Sequence, residues 1–224
     1  MEDLDLINLW KSYDKKLEEN LRLNRKNAED ITKIKVTYLL SSMKPIKIFT
    51  ILVGIIWIGI IDTLIINLFS FASIFFLVSA IALSLLNKLA LGIYIFQLIL
   101  ISRVRISEPV LSAQEKLASL KSSTLWIARI LFLQLPLWTT FYWNKSMMNN
   151  GNTFLWTIQI LVTLVASYCS VWLFRNIRYE NKNKKWFSLI FAGGEWSPVI
   201  RSIEFLNELG QFKKEEDSAY LERL

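Results

Sequence analysis

Histidine is absent from this chain and cysteine occurs once, so the residues behind much protein acid-base, nucleophilic and zinc chemistry are missing or single. Without an imidazole there is no Ser-His-Asp or Cys-His pair, no His-ligated zinc and no ordinary phospho-accepting histidine. The one cysteine, Cys169, forbids an internal disulfide and reads as a small packing residue. Glycine-rich phosphate loops are lacking too. Gly193-Gly194 has neither the strand before it nor the further glycines and lysine that cradle phosphate, and so reads as a turn. Gly54 and Gly59 are not at the four-residue spacing of the helix-dimer motif. Glu2 stands where myristoylation needs glycine, and Leu-Glu-Arg-Leu at the other end has no prenylation cysteine, so no lipid anchor is expected. No metal, no cofactor and no enzymatic activity are expected, because no acid-base or metal constellation is present.

Charge is also sparse. Of the 224 residues 20% are charged and 53% hydrophobic, against about 25% and about 45–50% in soluble domains. The apolar excess is concentrated in four segments: Ile46 to Phe69, Phe71 to Ile101, Leu125 to Trp143 and Phe154 to Phe174. A helix needs about 20 residues to cross about 30 Å of hydrocarbon. Inside lipid only helices or closed barrels satisfy every backbone group, and the alternation of barrel strands is absent. The predicted fold class is therefore all-α, a four-helix transmembrane bundle with cytoplasmic helical extensions. Pro45 suits the start of the first spanning helix. Trp126, Trp138, Trp143, Trp156 and Trp172 gather toward segment ends, as interfacial aromatics do. Pro136 falls inside the third segment and predicts a kink there.

Basic residues give the orientation. The turn from Asn67 to Ser73 has no Lys or Arg, and the loop from Asn144 to Asn152 has only Lys145. Lys33, Lys35, Lys44 and Lys47 precede the first span, Arg103, Arg105, Lys116 and Lys121 lie between the second and third, and Arg175, Arg178, Lys182, Lys184 and Lys185 follow the fourth. By the positive-inside rule both termini and the central segment are cytoplasmic. The pI near 9.4 is what juxtamembrane lysine and arginine produce, so no nucleic-acid partner is expected.

Three regions follow: 1–44, 45–176 and 177–224. The first opens acidic and has no early apolar run, so a cleaved signal is not expected. Ile7, Trp10, Leu17, Leu21, Ala28, Ile31 and Tyr38 recur at helical steps, interrupted by Asp14, Asn24 and Lys35. That pattern predicts an amphipathic helix docking on a partner or on the protein's own cytoplasmic face, with Trp10, Leu17 and Leu21 as the candidate partner-binding residues. Within the second region, a helix starting near Pro109 is expected to run on to Trp143, about 50 Å. Its beginning should pair with the surplus length of the second span as a hairpin stalk over about 100–124, broken at Ser102 to Glu108. In the third region Trp186 to Phe191 reads as interfacial. Ser197 and Pro198 can start a helix whose stripe is Val199, Ile203, Leu206 and Leu209, stopped by Gly210, while 213–224 is charged and expected to fray.

Ionisable residues inside spans are functional candidates by default, since charge in hydrocarbon is expensive. There are three: Asp62, Lys88 and Arg129. Arg129 lies three residues inside Trp126, and snorkelling to the interface accounts for it. Counted from the cytoplasmic ends, Asp62 and Lys88 lie about 24 and 21 Å deep and could pair. Counted from the outer turn they are about ten residues out of step, and a cytoplasmic stalk favours this second count. Gln97, Gln134 and Gln159 suit interhelical hydrogen bonds.

The stretch ISEPVLSAQEKLASLKSSTLWIARILFLQLPLWTTFYW from Ile106 to Trp143, with LWKSYDKKLEENLRLNRKN from Leu9, resembles an uncharacterised family of small bacterial four-helix membrane proteins. Members are often encoded beside extracytoplasmic-function sigma factors, so the resemblance implies a membrane-bound anti-sigma regulator. The paired Cys and His of zinc-binding anti-sigma proteins are not in this chain. Two functions are carried forward. One is a regulatory or scaffold protein offering a helical platform to a cytoplasmic protein partner, with the bilayer as its other contact. The alternative is a small transporter or channel subunit using Asp62 and Lys88.

Overall fold

The computed structural model describes residues 2–103, 110–143, 153–193 and 197–221, and no strand occurs among them. The order is α1 (Glu2–Leu68), α2 (Ile74–Arg103), α3 (Val110–Leu133), α4 (Leu135–Thr140), α5 (Thr153–Asn176), a 3-10 turn (Tyr179–Asn181), α6 (Lys185–Phe191) and α7 (Ser197–Leu221). The fold is all-α. α1, α2 and α5 are long and apolar enough to cross a membrane. The predicted loop 144–152 and most of the predicted break at 102–108 lie outside the described residues.

α1 is one helix of 67 residues, about 100 Å long. Pro45 is inside it rather than at the start of a spanning helix. Proline removes one backbone donor and strains the preceding turn, but the helix is held on both sides of it. Val36, Leu40, Met43, Lys47, Ile58 and Ile61 form one buried stripe that passes through the proline. The change read at residue 44 is therefore a change of surroundings, not of secondary structure. The stripe also differs from the predicted seam, because Ile31 and Tyr38 are exposed while Val36 and Leu40 are buried. The helices packed on this part of α1 select its face.

Those helices meet at a junction where Val36, Leu40 and Met43 of α1 pack with Ile101 of α2, Leu117 and Leu120 of α3, and Val199 and Ile203 of α7. α2 and α3 pack together, and Lys116 Nζ donates to Arg103 O at the end of α2, 2.8 Å, where a cation complements the helix dipole. α7 lays Val199, Ile203 and Leu209 inward and runs antiparallel to α1, with Lys35 Nζ 5.5 Å from the ring centre of Phe205. Gly210 does not stop α7, which continues to Leu221. A glycine costs about 1 kcal/mol in a helix relative to alanine, which lowers helix stability without forbidding the helix to continue. A second cluster, of Tyr94, Ile127, Ala128, Ile177, Phe187 and Phe191, joins α2, α3 and α6.

The helix expected to run on to Trp143 is broken where the kink at Pro136 is predicted. Pro136 deprives Phe132 of its backbone donor, and the chain turns at Gln134 through Gln134 N to Leu131 O, 3.3 Å, and Leu137 N to Gln134 O, 3.0 Å. α4 then continues in the same direction. Ser73 Oγ donates to Trp143 O, 2.8 Å, and the hydroxyls of Ser79 and Thr140 are 2.7 Å apart, so the end of α4 is level with the α1–α2 turn. Aromatics band the two ends. Trp143 packs on Phe75 and Trp156 at the turn end, and Trp172 on Trp186 and Trp126 on Phe174 at the other. Trp138 is the exception, stacked on Trp57 at 6.3 Å.

Candidate functional site

Asp62 on α1 faces Ser84 and Lys88 of α2. Serine and lysine four residues apart share one helix face, and both reach the same carboxylate. Lys88 Nζ is 2.9 Å from Asp62 Oδ2 and 3.2 Å from Oδ1, and Ser84 Oγ donates to Oδ1 at 2.5 Å. The structure thus brings together two residues that the stalk count separates. α2 packs on α3 as well as on α1, and Asp62 is level with Ser84. The lysine arm reaches across the remaining turn of helix, about 6 Å. The pair lies on the outside of the hairpin, with Lys88 50% and Asp62 37% exposed.

Arg129 is a fastening. Its Nε and Nη2 donate to Ile177 O, 3.0 and 2.8 Å, just past the end of α5, and the guanidinium lies over Trp126 at 5.2 Å. It snorkels to a backbone carbonyl and ties α3 to the end of α5. Arg129→Ala is expected to lower stability by about 1.5–3 kcal/mol, the range for hydrogen bonds to a charged group. Thermal unfolding of the detergent-solubilised protein checks this, and Arg129→Lys should recover only part of the loss, since lysine offers no planar fork.

The glutamines divide. Gln97 is fully buried and donates to Ser123 Oγ, 3.0 Å, and Thr124 Oγ1, 3.2 Å. Gln159 Nε2 donates to Thr139 O, 2.6 Å. Both are interhelical links, as expected. Gln134 is buried at the break with no partner for its Nε2. Cys169 is exposed on α5 rather than packed, since α5 turns only Ser170 fully inward.

Lys47 is the residue that sequence reasoning misplaced. Read as a flanking cation, it is completely buried, with Nζ 4.4 Å from the centre of the Tyr94 ring. The attraction of a cation to an aromatic face strengthens when water is excluded. A signal was available, because Lys47 continues the steps of four and three set by Val36, Leu40 and Met43.

At the far end of α1 every residue from 6 to 24 is exposed. Trp10 is 66%, Leu17 50% and Leu21 41% exposed, beside exposed Leu6, Ile7 and Tyr13. These apolar side chains project on a helix of their own, beyond the junction. No protein-family model, curated protein or solved structure matches this chain. Its chemistry has to be read from the two places just described. No cluster of three or more metal-ligating side chains occurs among the described residues. What remains is an ion pair with a hydroxyl on the outside of a hairpin, and an apolar helix that the described chain leaves uncovered.

Proposed function

We propose that this is an integral inner-membrane protein of bacteria whose cytoplasmic helices form a platform for a protein partner. The observation that carries it is the exposure of Trp10, Leu17 and Leu21 on a helix continuous with a membrane-spanning one. Large apolar groups at helical spacing are the anchors that such helices lay into a partner's groove, and aromatic anchors dominate interface energies.

α3 and α4 together make the fourth crossing. Supporting this, α3 begins beside the end of α2, and α4 ends level with its start. Lys116, Lys121, Arg175, Arg178, Lys182, Lys184 and Lys185 all belong to the end from which α1 extends, which the positive-inside rule puts in the cytoplasm with both termini. The resemblance of 106–143 makes a sigma factor the first partner to test, and regulation by sequestration the activity.

Purified from native membranes in mild detergent, the tagged full-length chain is expected to retain a cytoplasmic protein. Trp10→Ala with Leu17→Ala should cut that recovery by about tenfold or more, since each hot-spot truncation costs about 2 kcal/mol. An unchanged set of associated proteins would sink the platform. The Asp62, Ser84 and Lys88 cluster favours a second reading, as a transporter or channel subunit. Solute or ion flux into liposomes that vanished in both Asp62→Asn and Lys88→Met would put that reading first.

A further inference from the structure

We propose that the face carrying Asp62 and Lys88 is covered, in the membrane, by a second copy of this chain. The two residues lie within the spans of α1 and α2, with Asp62 six residues from the end of α1, about 9 Å. Ionisable side chains at such depth face protein or water, because hydrocarbon solvates neither charge. Among the described residues Ser84 is the further group bonded to the pair, and much of the carboxylate and ammonium surface is left exposed.

Small residues surround the pair on the same side. Gly59 is one turn from Asp62 and Gly92 one turn from Lys88, both are exposed, and a Cβ built on either would meet nothing within 4 Å. Gly54 differs, because a Cβ there would be 3.4 Å from Leu91 inside the hairpin. Gly54 therefore serves the packing of α1 on α2, whereas Gly59 and Gly92 leave open space that this chain does not fill. Between helices in lipid, association rests on close backbone approach over small residues and on polar contacts across the gap. Both are laid out here next to each other.

Charge names the occupant. The acid is on α1, the base on α2, and their contact puts them at one depth. A two-fold axis along the membrane normal, with α1 packed on the α2 of the other copy, sets each Asp62 against the other copy's Lys88. The result is a ring of four alternating charges. A face whose charges invert across its own midline is complementary to itself, as an isologous interface requires. An unrelated protein would need a matching charge pair at the same depth. Room exists for the contact, since 6% of the most apolar stretch of α1 is buried within the chain. The proposal does not rest on the platform reading, and its residues are remote from Trp10 and Leu17.

The experiment uses the full chain in native membranes, with Cys169→Ser removing the natural thiol. Thr63→Cys, on the exposed side of α1 next to Asp62, is expected to give on oxidation a covalent species of twice the 26.2 kDa chain mass. Val165→Cys, exposed on α5, should not. In dilute liposomes, single-molecule bleaching should show two steps per particle for the unmodified protein. Lys88→Met should weaken association by about tenfold or more, corresponding to about 1.4 kcal/mol. Asp62→Lys together with Lys88→Asp should restore it, because alternation around the ring survives the exchange, and this separates an interface effect from misfolding. Thr63→Cys crosslinking no faster than Val165→Cys, a crosslinked product of any other mass, single-step bleaching of the unmodified protein, or no recovery in the exchanged pair would each overturn the second copy as occupant.

Discussion

Leu120→Ala is expected to destabilise the protein by about 2–5 kcal/mol, the range for deleting a fully buried leucine and leaving a cavity. Leu120 is completely buried in the junction where α1, α2, α3 and α7 meet. Four helices are fixed by it and its neighbours, so collapse around the cavity is resisted on every side. Leu40→Ala, in the same cluster, should behave alike. Leu64→Ala is the contrast, because Leu64 is exposed on the spanning part of α1. There the change exchanges one lipid-soluble side chain for another and should cost less than about 1 kcal/mol. Thermal unfolding in one detergent, at one protein concentration, compares the three. A Leu120→Ala protein as stable as the Leu64→Ala protein would mean that the junction does not hold its four helices together.

Breaking the Asp62–Lys88 pair from one side should cost up to about 2.5 kcal/mol, below the cost of an unpaired charge at the centre of a span, because Asp62 is six residues from the end of α1. Lys88→Met leaves the carboxylate with only the Ser84 hydroxyl, and Asp62→Leu leaves the ammonium with no acid. Removing both in one chain should cost far less than the sum, because an ion pair replaced by apolar groups is often neutral. The expected coupling is therefore about 2–3 kcal/mol in a double-mutant cycle, read from reversible unfolding in bicelles. Protein-to-lipid ratio has to be held constant, since association adds to apparent stability. Additive single changes would show that the two charges do not depend on each other, whatever their separation.

Much of this architecture is legible because bilayer thickness is a severe constraint. The apolar segments starting at Phe71 and Phe154 coincide closely with helices, and the one starting at Ile46 is the last third of a longer helix, since no other element of that length can satisfy its backbone in lipid. Pro45 and Gly210 were opaque for a shared reason. Each is a residue that often ends a helix, yet α1 is buried on both sides of Pro45 and the cost of Gly210, about 1 kcal/mol, does not end α7. Lys47 was hidden by its charge, because a lysine beside an apolar run reads as a topology signal even when its register assigns it to the core. Counting along each helix with a cytoplasmic stalk sets Asp62 and Lys88 apart, whereas the structure pairs them. What decides it is the reach of a lysine side chain over one turn, and counting residues does not measure that. The exposed stripe at Trp10, Leu17 and Leu21 could be found by periodicity, but its lack of a cover could not. The same spacing would serve a helix folded back on its own protein.

That α1 passes through Pro45 without a break gives the molecule a mechanical property. From Asn24 to Leu6, the stretch in which every residue is exposed, the helix extends 18 residues, about 27 Å. A rod of that length pivoting by about 5° at its base carries its tip sideways by about 2 Å. Small tilts of the spanning segment, such as those that follow a change of bilayer thickness, are in this way enlarged at Trp10. A bound partner would feel the membrane through a lever rather than through a diffusing messenger.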